Sequence, residues 1–176
     1  MSNILLALAL TLVSGHPLPA EVPFWIPSLR VDGTIRPAPG HRLFLVTVTV
    51  GEEPIDAEDI SRFALITSAG RRKPIGAGVS DSSIVPFDRI PLGQQVGEIL
   101  PSDAMIVLTR STATRVALEV GPGVTIAFLY EVPRAASVRA LRLPDGRQLA
   151  IPVGRVDQEA GWSAAARCEV LVPCPR

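Results

Sequence analysis

Apolar and polar side chains alternate along several short stretches, and the clearest alternation spans residues 42–50, RLFLVTVTV. One side of an extended strand there carries only large apolar residues, namely Phe44, Val46, Val48 and Val50. The opposite side changes from leucines to threonines. Because successive side chains of a β-strand point to opposite faces, the pattern predicts a strand with one face in the core and the other running toward solvent.

Shorter stretches of similar character predict further strands at 60–67, 104–111, 114–120 and 124–132. The least regular stretch, 75–103, has room for two more short strands. Seventeen prolines and fourteen glycines break the chain into segments too short for long helices. The sequence therefore predicts an all-β fold, a two-sheet sandwich of about seven to nine short strands.

The end of the sandwich has the pattern of a hairpin, with strands at 138–143 and 148–153. Asp145-Gly146 between them accepts the positive φ angles of a type I′ turn, whose twist matches that of paired strands. The predicted sandwich domain is therefore residues 41–153. Residues 154–176 form a C-terminal tail beyond it.

Residues 16–40 hold six prolines. Since proline cannot donate a ladder hydrogen bond, these prolines predict an extended segment with at most one edge strand. Phe24 and Trp25 in this segment are expected to cover one end of the core, and the alternative is an exposed aromatic patch.

The N-terminus carries an apolar run over residues 4–13, the length of a signal-peptide core and too short for a membrane-spanning helix. Small residues at Val13 and Gly15 predict cleavage before His16, so that 1–15 would be a signal peptide and the protein secreted or periplasmic. The run lacks a preceding Lys or Arg, and the alternative is an N-terminal strand or helix buried in the fold.

Overall charge is balanced, with 17 Lys plus Arg and 17 Asp plus Glu, so no net field attracts nucleic acid or anionic lipid. A histidine at position 16, where a lipoprotein would have cysteine, excludes a lipid anchor at that site. No later run has the length of a membrane span. The expected partner is a protein or an envelope component.

Cys168 and Cys174 lie close together near the C-terminus. In an exported chain an even cysteine count indicates a disulfide, and closing so short a loop stabilises by roughly 2 kcal/mol. A zinc site needs four ligands, and two Cys with two His supply them poorly. We therefore expect a cystine loop in the tail, no metal and no cofactor.

Three stretches, LFLVTVTVGEEPID (43–56), FALITSAGRRKPI (63–75) and GPGVTIAFLYEVPRAASVRALRLPDG (121–146), resemble the telokin-like, immunoglobulin-type sandwich domains of secreted bacterial proteins of uncharacterised function. The resemblance implies an immunoglobulin-like β-sandwich and an extracellular or envelope location. It implies no catalytic residues. The tail from residue 154 lies outside it.

Catalytic groups are sparse. His41 is the one internal histidine after the predicted cleavage, since His16 would be the new N-terminal residue, and no Gly-x-Ser-x-Gly elbow is present. Candidates for a glycosidase-like pair of carboxylates are Asp56, Glu58 and Asp59, or Asp81 and Asp88. Their polar loop settings favour solvation, so no catalytic residue is assigned.

Positive charge is densest at Arg71, Arg72 and Lys73, which would suit a carboxylate, phosphate or sulfate because arginine pairs with oxyanions through two parallel hydrogen bonds. The alternative is a solvated turn tip. Arg142 alternates with leucines and is predicted to point outward. Arg139 shares a face with Leu141 unless the pleat is broken.

The sequence favours an exported, non-enzymatic binding domain that uses its loops or a sheet edge, with edges expected near IVPF (84–87) and in the proline-rich segment. Two alternatives remain: a small hydrolase built around His41, and a structural subunit of a surface assembly.

The hydrolase alternative has a direct test. If His41 were the catalytic base, a His41→Ala substitution would abolish turnover while leaving the thermal unfolding curve nearly unchanged. Hydrolysis that survives this substitution would exclude the alternative.

Overall fold

The computed structural model describes residues 10–26, 29–52, 55–79, 84–89, 105–108 and 117–151. Nearly all of its regular structure is β-strand. The strands in these ranges, numbered in chain order, are β1 (Leu10–Pro17), β2 (Val22–Ile26), β3 (Val31–Ile35), β4 (His41–Val50), β5 (Ile55–Asp56), β6 (Ala64–Thr67), β7 (Gly70–Arg72), β8 (Pro74–Val79), β9 (Val85–Pro86), β10 (Met105–Leu108), β11 (Ala117–Val120), β12 (Thr125–Pro133), β13 (Val138–Arg142) and β14 (Gln148–Ala150). Two short 3-10 helices, Ala57–Arg62 and Phe87–Arg89, complete the described elements.

The strands form antiparallel sheets. The largest has the order β1-β4-β12-β8-β9, and a four-stranded sheet has the order β14-β13-β6-β7. A three-stranded sheet, β10-β11-β5, and the β2-β3 hairpin accompany them. The all-β sandwich prediction is confirmed. Its strands outnumber the predicted seven to nine because several contain only two to four residues.

The main core lies between the five-stranded and four-stranded sheets. Cross-strand neighbours on β4 and β12 line one of its walls, with Val46 opposite Phe128 and Phe44 opposite Tyr130. The facing wall includes Leu65 from β6 and Leu141 from β13, which are both fully buried. Burying each large side chain of this kind contributes about 1.5–3 kcal/mol. The predicted core face of residues 42–50 is confirmed.

The second face of β4 also follows the sequence pattern. Leu43 and Leu45 are buried in a smaller apolar cluster with Leu129 of β12. Further along, Thr49 Oγ1 lies 2.9 Å from Thr125 Oγ1 on the neighbouring strand. The change from leucine to threonine therefore marks where apolar side chains no longer cover this face. Beyond that point, hydroxyl groups on neighbouring strands pair with each other.

Residues 60–67 differ from the prediction, since a 3-10 helix precedes the strand and only Ala64–Thr67 is extended. Ile60 and Phe63 are both buried. Residues three apart share a face in a 3-10 helix, which has three residues per turn, whereas they point to opposite faces in a strand. The turn thus brings both side chains to the core, and the Phe63 ring stacks on Phe128 with centroids 4.6 Å apart.

The proline-rich segment contains two strands where at most one was expected, because β2 and β3 pair with each other as a hairpin. In a two-stranded ribbon, each strand has one edge without a hydrogen-bonded neighbour. Proline, which has no N–H to donate, is tolerated in such a strand, as at Pro23. Phe24 is buried, as predicted, and its ring lies 2.8 Å from where a side chain on Gly33 would begin. The side chain of Trp25 lies outside the described part of the chain.

The final hairpin is present, but its turn is not type I′. Gly146 has φ of +92°, whereas Asp145 is absent from the positive-φ residues of the described chain. The Gly146 N–H donates to the Leu143 carbonyl at 3.0 Å. This is a type I turn through Pro144 and Asp145, followed by glycine in a left-handed conformation. Proline fixes a negative φ at the first central position, which favours type I.

The N-terminal chain enters the large sheet. Residues 10–17 pair along β4, with Leu10 opposite Val50 and Pro17 opposite Phe44. Residues 10–15 therefore have a place in the fold of the full chain, although they belong to the predicted signal peptide. The cleavage before His16 stays a prediction. Among the described residues, the only helices are the two 3-10 helices, and neither has the length or apolar character of a membrane-spanning helix.

Tyr130 gives a test of the core. Its hydroxyl is buried and has no hydrogen-bond partner among the described residues, and burial raises the pKa of this phenol well above its usual range. A Tyr130→Phe substitution should therefore preserve the fold or stabilise it by about 1 kcal/mol, since it removes an unsatisfied polar group. Phe128→Ala, in contrast, should cost about 3–5 kcal/mol. Denaturant unfolding would measure both.

The same tyrosine should report on alkaline stability. The pKa of Tyr130 is higher in the folded protein than in the unfolded chain, where it is about 10. The contribution of the neutral phenol to the stability of the fold is therefore complete below that pH and is lost as pH rises above it. Tyr130 is the only tyrosine. Absorbance of the phenolate should thus appear together with unfolding, and ionisation at a normal pH in a folded protein would contradict its burial.

Candidate functional site

Of the predicted cationic residues, Arg71, Arg72 and Arg142 lie in the four-stranded sheet, but not all on one side, and Lys73 directly follows β7. In β7, Arg71 is opposite Ile66 and Arg72 is opposite Leu65. Residues directly opposite each other on antiparallel strands share a face. Because Leu65 is fully buried in the core, Arg72 starts from the inner face and Arg71 from the outer face. The strand structure therefore divides the Arg-Arg-Lys run, which is part of a hairpin and not only a turn tip.

Arg142 lies on the same outer face as Arg71. It is opposite Ala64 of β6, and Ala64 and Ile66 are two residues apart on that strand. Its guanidinium reaches toward the final turn, with Nη2 3.6 Å from where a side chain on Gly146 would begin. The structure thus brings together two of the predicted binding residues on a flat sheet surface.

Arg139 joins them at an interruption of the ladder. The pairing of β13 with β6 shifts register between Val138 and Ala140, which leaves Arg139 as the additional residue. Its side chain is exposed. Because of this bulge, Arg139 does not share the core-facing side of the strand with Leu141. The bulge is indicated in the sequence by a charged residue at a position that strict alternation would place in the core.

Four cations of this region, Arg71, Lys73, Arg139 and Arg142, are here called the basic face. Arg71, Lys73 and Arg139 are exposed, and Arg142 is half-buried. Within the described part of the chain their side chains form no ion pair or hydrogen bond. Several other surface arginines are paired, for example Arg62 with Asp59 at 2.8 Å. The basic face therefore carries positive charge that no carboxylate of the described residues neutralises.

Arg72 is in a different environment. It is half-buried, and its Nε is buried without a hydrogen-bond partner among the described residues. The stem of such a side chain can cover apolar surface while its charged end stays near solvent. Arg72 is therefore better placed to cover the edge of the core than to bind a partner beside Arg71.

A cleft of about 780 Å³ separates the β2-β3 hairpin from the end of the five-stranded sheet. Its apolar lining includes Phe24, Ile35 and Phe87. The charged groups around it have partners: Arg36 pairs with Glu21 at 2.8 Å, and the Ala38 N–H donates to Glu131 Oε1. The cleft thus offers an apolar surface with a neutralised rim.

His41 lies in a smaller cavity of about 330 Å³. Its ring Nδ1 is 3.2 Å from the Pro39 carbonyl, and Arg134 Nε donates to the His41 carbonyl at 3.2 Å. The described residues that line this cavity include two arginines and three prolines but no hydroxyl or carboxylate side chain. Within the described part of the chain, the geometry therefore brings no nucleophile or orienting acid to His41.

The remaining candidates are dispersed. Asp59 pairs with Arg62, and the Asp88 carboxylate lies 3.8 Å from the Arg89 guanidinium. The side chains of Asp56 and Glu58, and the whole of Asp81, Cys168 and Cys174, fall outside the described residues. Nowhere in the described ranges do three or more His, Cys, Asp or Glu side chains gather as they would around a metal ion.

Comparisons with protein-family models, with curated proteins and with solved structures gave no match for this chain.

Proposed function

We propose that the protein is an exported, non-enzymatic domain of the cell envelope or extracellular space that binds acidic groups on a protein or an envelope component. The observation that supports this most directly is the basic face, whose four cations have no anionic partner within the described structure. The apolar run at residues 4–13 supports a secreted or periplasmic location. The domain would belong to the telokin-like, immunoglobulin-type sandwiches.

The basic face suits a partner with several negative groups. Arg71 and Arg142 are on strands separated by β6 and are offset along the sheet. Strand spacing places their Cα atoms roughly 12 Å apart, a separation that suits guanidinium groups directed away from the sheet to successive negative groups on a polymer or an acidic protein surface. Arginine forks would give each contact a defined direction.

The strip of sheet between the two arginines offers little contact area of its own. Ala64 and Ala140 on it are buried and Ile66 is half-buried, so a partner would contact mainly the arginine side chains. The sheet holds the arginine backbones in fixed positions, so less conformational freedom is lost on binding than from a mobile loop. Because the whole chain has no net charge, attraction would come from a local patch such as this face and not from an overall positive field.

A pair of charge-removing variants tests the proposal. Arg71→Ala combined with Arg142→Ala should weaken binding to poly-L-glutamate or to dextran sulfate by about tenfold or more, because each removes a charge-assisted hydrogen bond. Raising the salt concentration should weaken wild-type binding in the same way. Fluorescence titration of labelled polymer measures both effects.

Arg62→Ala is the control, since Arg62 is exposed, as Arg71 is, but already paired with Asp59. It should leave affinity for both polymers nearly unchanged. If neither polymer binds to the wild-type protein, or if the Arg62 variant weakens binding as much as the double variant, the basic face is not the binding site.

A further inference from the structure

Strand β1 occupies one edge of the largest sheet, and it lies across the predicted cleavage site. Residues 10–15 pair with β4 from Val50 to Val46, while His16 and Pro17 pair with Leu45 and Phe44. Cleavage before His16 would therefore remove six of the eight residues of β1. The first paired strand of the sheet would then be β4, the longest strand in the described fold.

We infer that the edge of β4 from Val46 to Val50 is an acceptor site for an extended strand supplied by a partner protein once the signal peptide has been removed. The inference rests on the export proposed above. Signal peptidase would hydrolyse the Gly15–His16 peptide bond, with water supplying the oxygen of the new Gly15 carboxylate and the protons of the new His16 amine. The unpaired N–H and C=O groups of β4 would then accept a strand by β-augmentation.

An open β4 edge would be poorly tolerated without a partner. Val46, Val48 and Val50 lie in the main core, each no more than 1% exposed in the full chain. An edge strand with such apolar residues and unpaired backbone groups is a template for association with other chains. Another strand in the position of β1 would restore the hydrogen bonds and cover the core from that side.

Contacts of β1 specify two features of the partner strand. A side chain at the position of Gly15 would begin 2.7 Å from Ile151 Cγ2 and 3.3 Å from Phe44 Cε1, so this position, opposite Val46, requires glycine. On the other face, Ser14 Oγ lies 2.7 Å from Thr47 Oγ1. The partner strand should therefore run antiparallel to β4 and contain Ser or Thr followed by Gly.

The first measurement is the intact mass of the protein purified after export from a secreting host. A mass corresponding to residues 16–176 is expected. Retention of residues 1–15 in the exported protein would overturn this inference alone, whereas accumulation of the whole protein inside the cells would overturn the proposed export as well. Either result would leave the anion binding of the basic face to be judged by its own titration.

The second measurement is binding of a fluorescent peptide with the sequence of residues 10–15, LTLVSG, to the cleaved protein. Saturable binding is expected, together with slower hydrogen exchange at β4 amides. A Gly15→Val peptide should bind at least about tenfold more weakly because its side chain meets Ile151 and Phe44. A Ser14→Thr peptide is the control, since it adds a methyl group on the other face and keeps the hydroxyl.

Cleaved protein that fails to fold alone also gives a decisive result. Recovery of its β-sheet circular dichroism on addition of the wild-type peptide, but not the Gly15→Val peptide, would support the acceptor site. The inference is overturned by equal binding of both peptides, by no binding or recovery, or by a stable dimer in which a second copy protects β4.

Discussion

Nine residue pairs join β4 to β12, and they arrange both apolar clusters of the protein. On one face the pairs bring Phe44 beside Tyr130 and Val46 beside Phe128, and on the other they bring Leu45 beside Leu129. A one-residue slip would exchange the two faces and move every side chain to the wrong cluster. The other sheet, the 3-10 turn at Phe63 and the N-terminal strand all pack against or pair with this two-strand unit.

The basic face depends on this arrangement indirectly. The four-stranded sheet turns Leu65 and Leu141 toward β4 and β12, so the alternate residues Ile66 and Arg142 must face away from the core. Packing of the inner face thereby fixes which charges are displayed outside. The bulge at Arg139 is the one place on β13 where the alternation is broken, and it adds a cation to the outer face.

Alternation along residues 42–50 was enough to predict the central strand and both of its faces, because there each side chain follows the two-residue period. Alternation did not predict residues 60–63 correctly. Ile60 and Phe63 reach the core through the three-residue period of a 3-10 turn, and in a short apolar run this period cannot be distinguished from a strand by sequence. Alternation also could not place Arg71 and Arg72 on opposite faces, since that depends on which residue of β6 each one meets. At the final hairpin the sequence contains two competing turn signals: Asp145-Gly146 favours type I′, and the fixed negative φ of Pro144 favours the type I turn that forms.

The Thr49–Thr125 hydroxyl contact joins strands that are 76 residues apart in sequence. Contacts of such long separation slow folding, because a large loop must close before any pairing energy is gained. On the ribosome, β4 therefore emerges long before β12 has been synthesised. During that interval the valines and leucines of β4 have no β12 to pack against. The timing of synthesis, as well as final stability, is therefore a constraint on this chain.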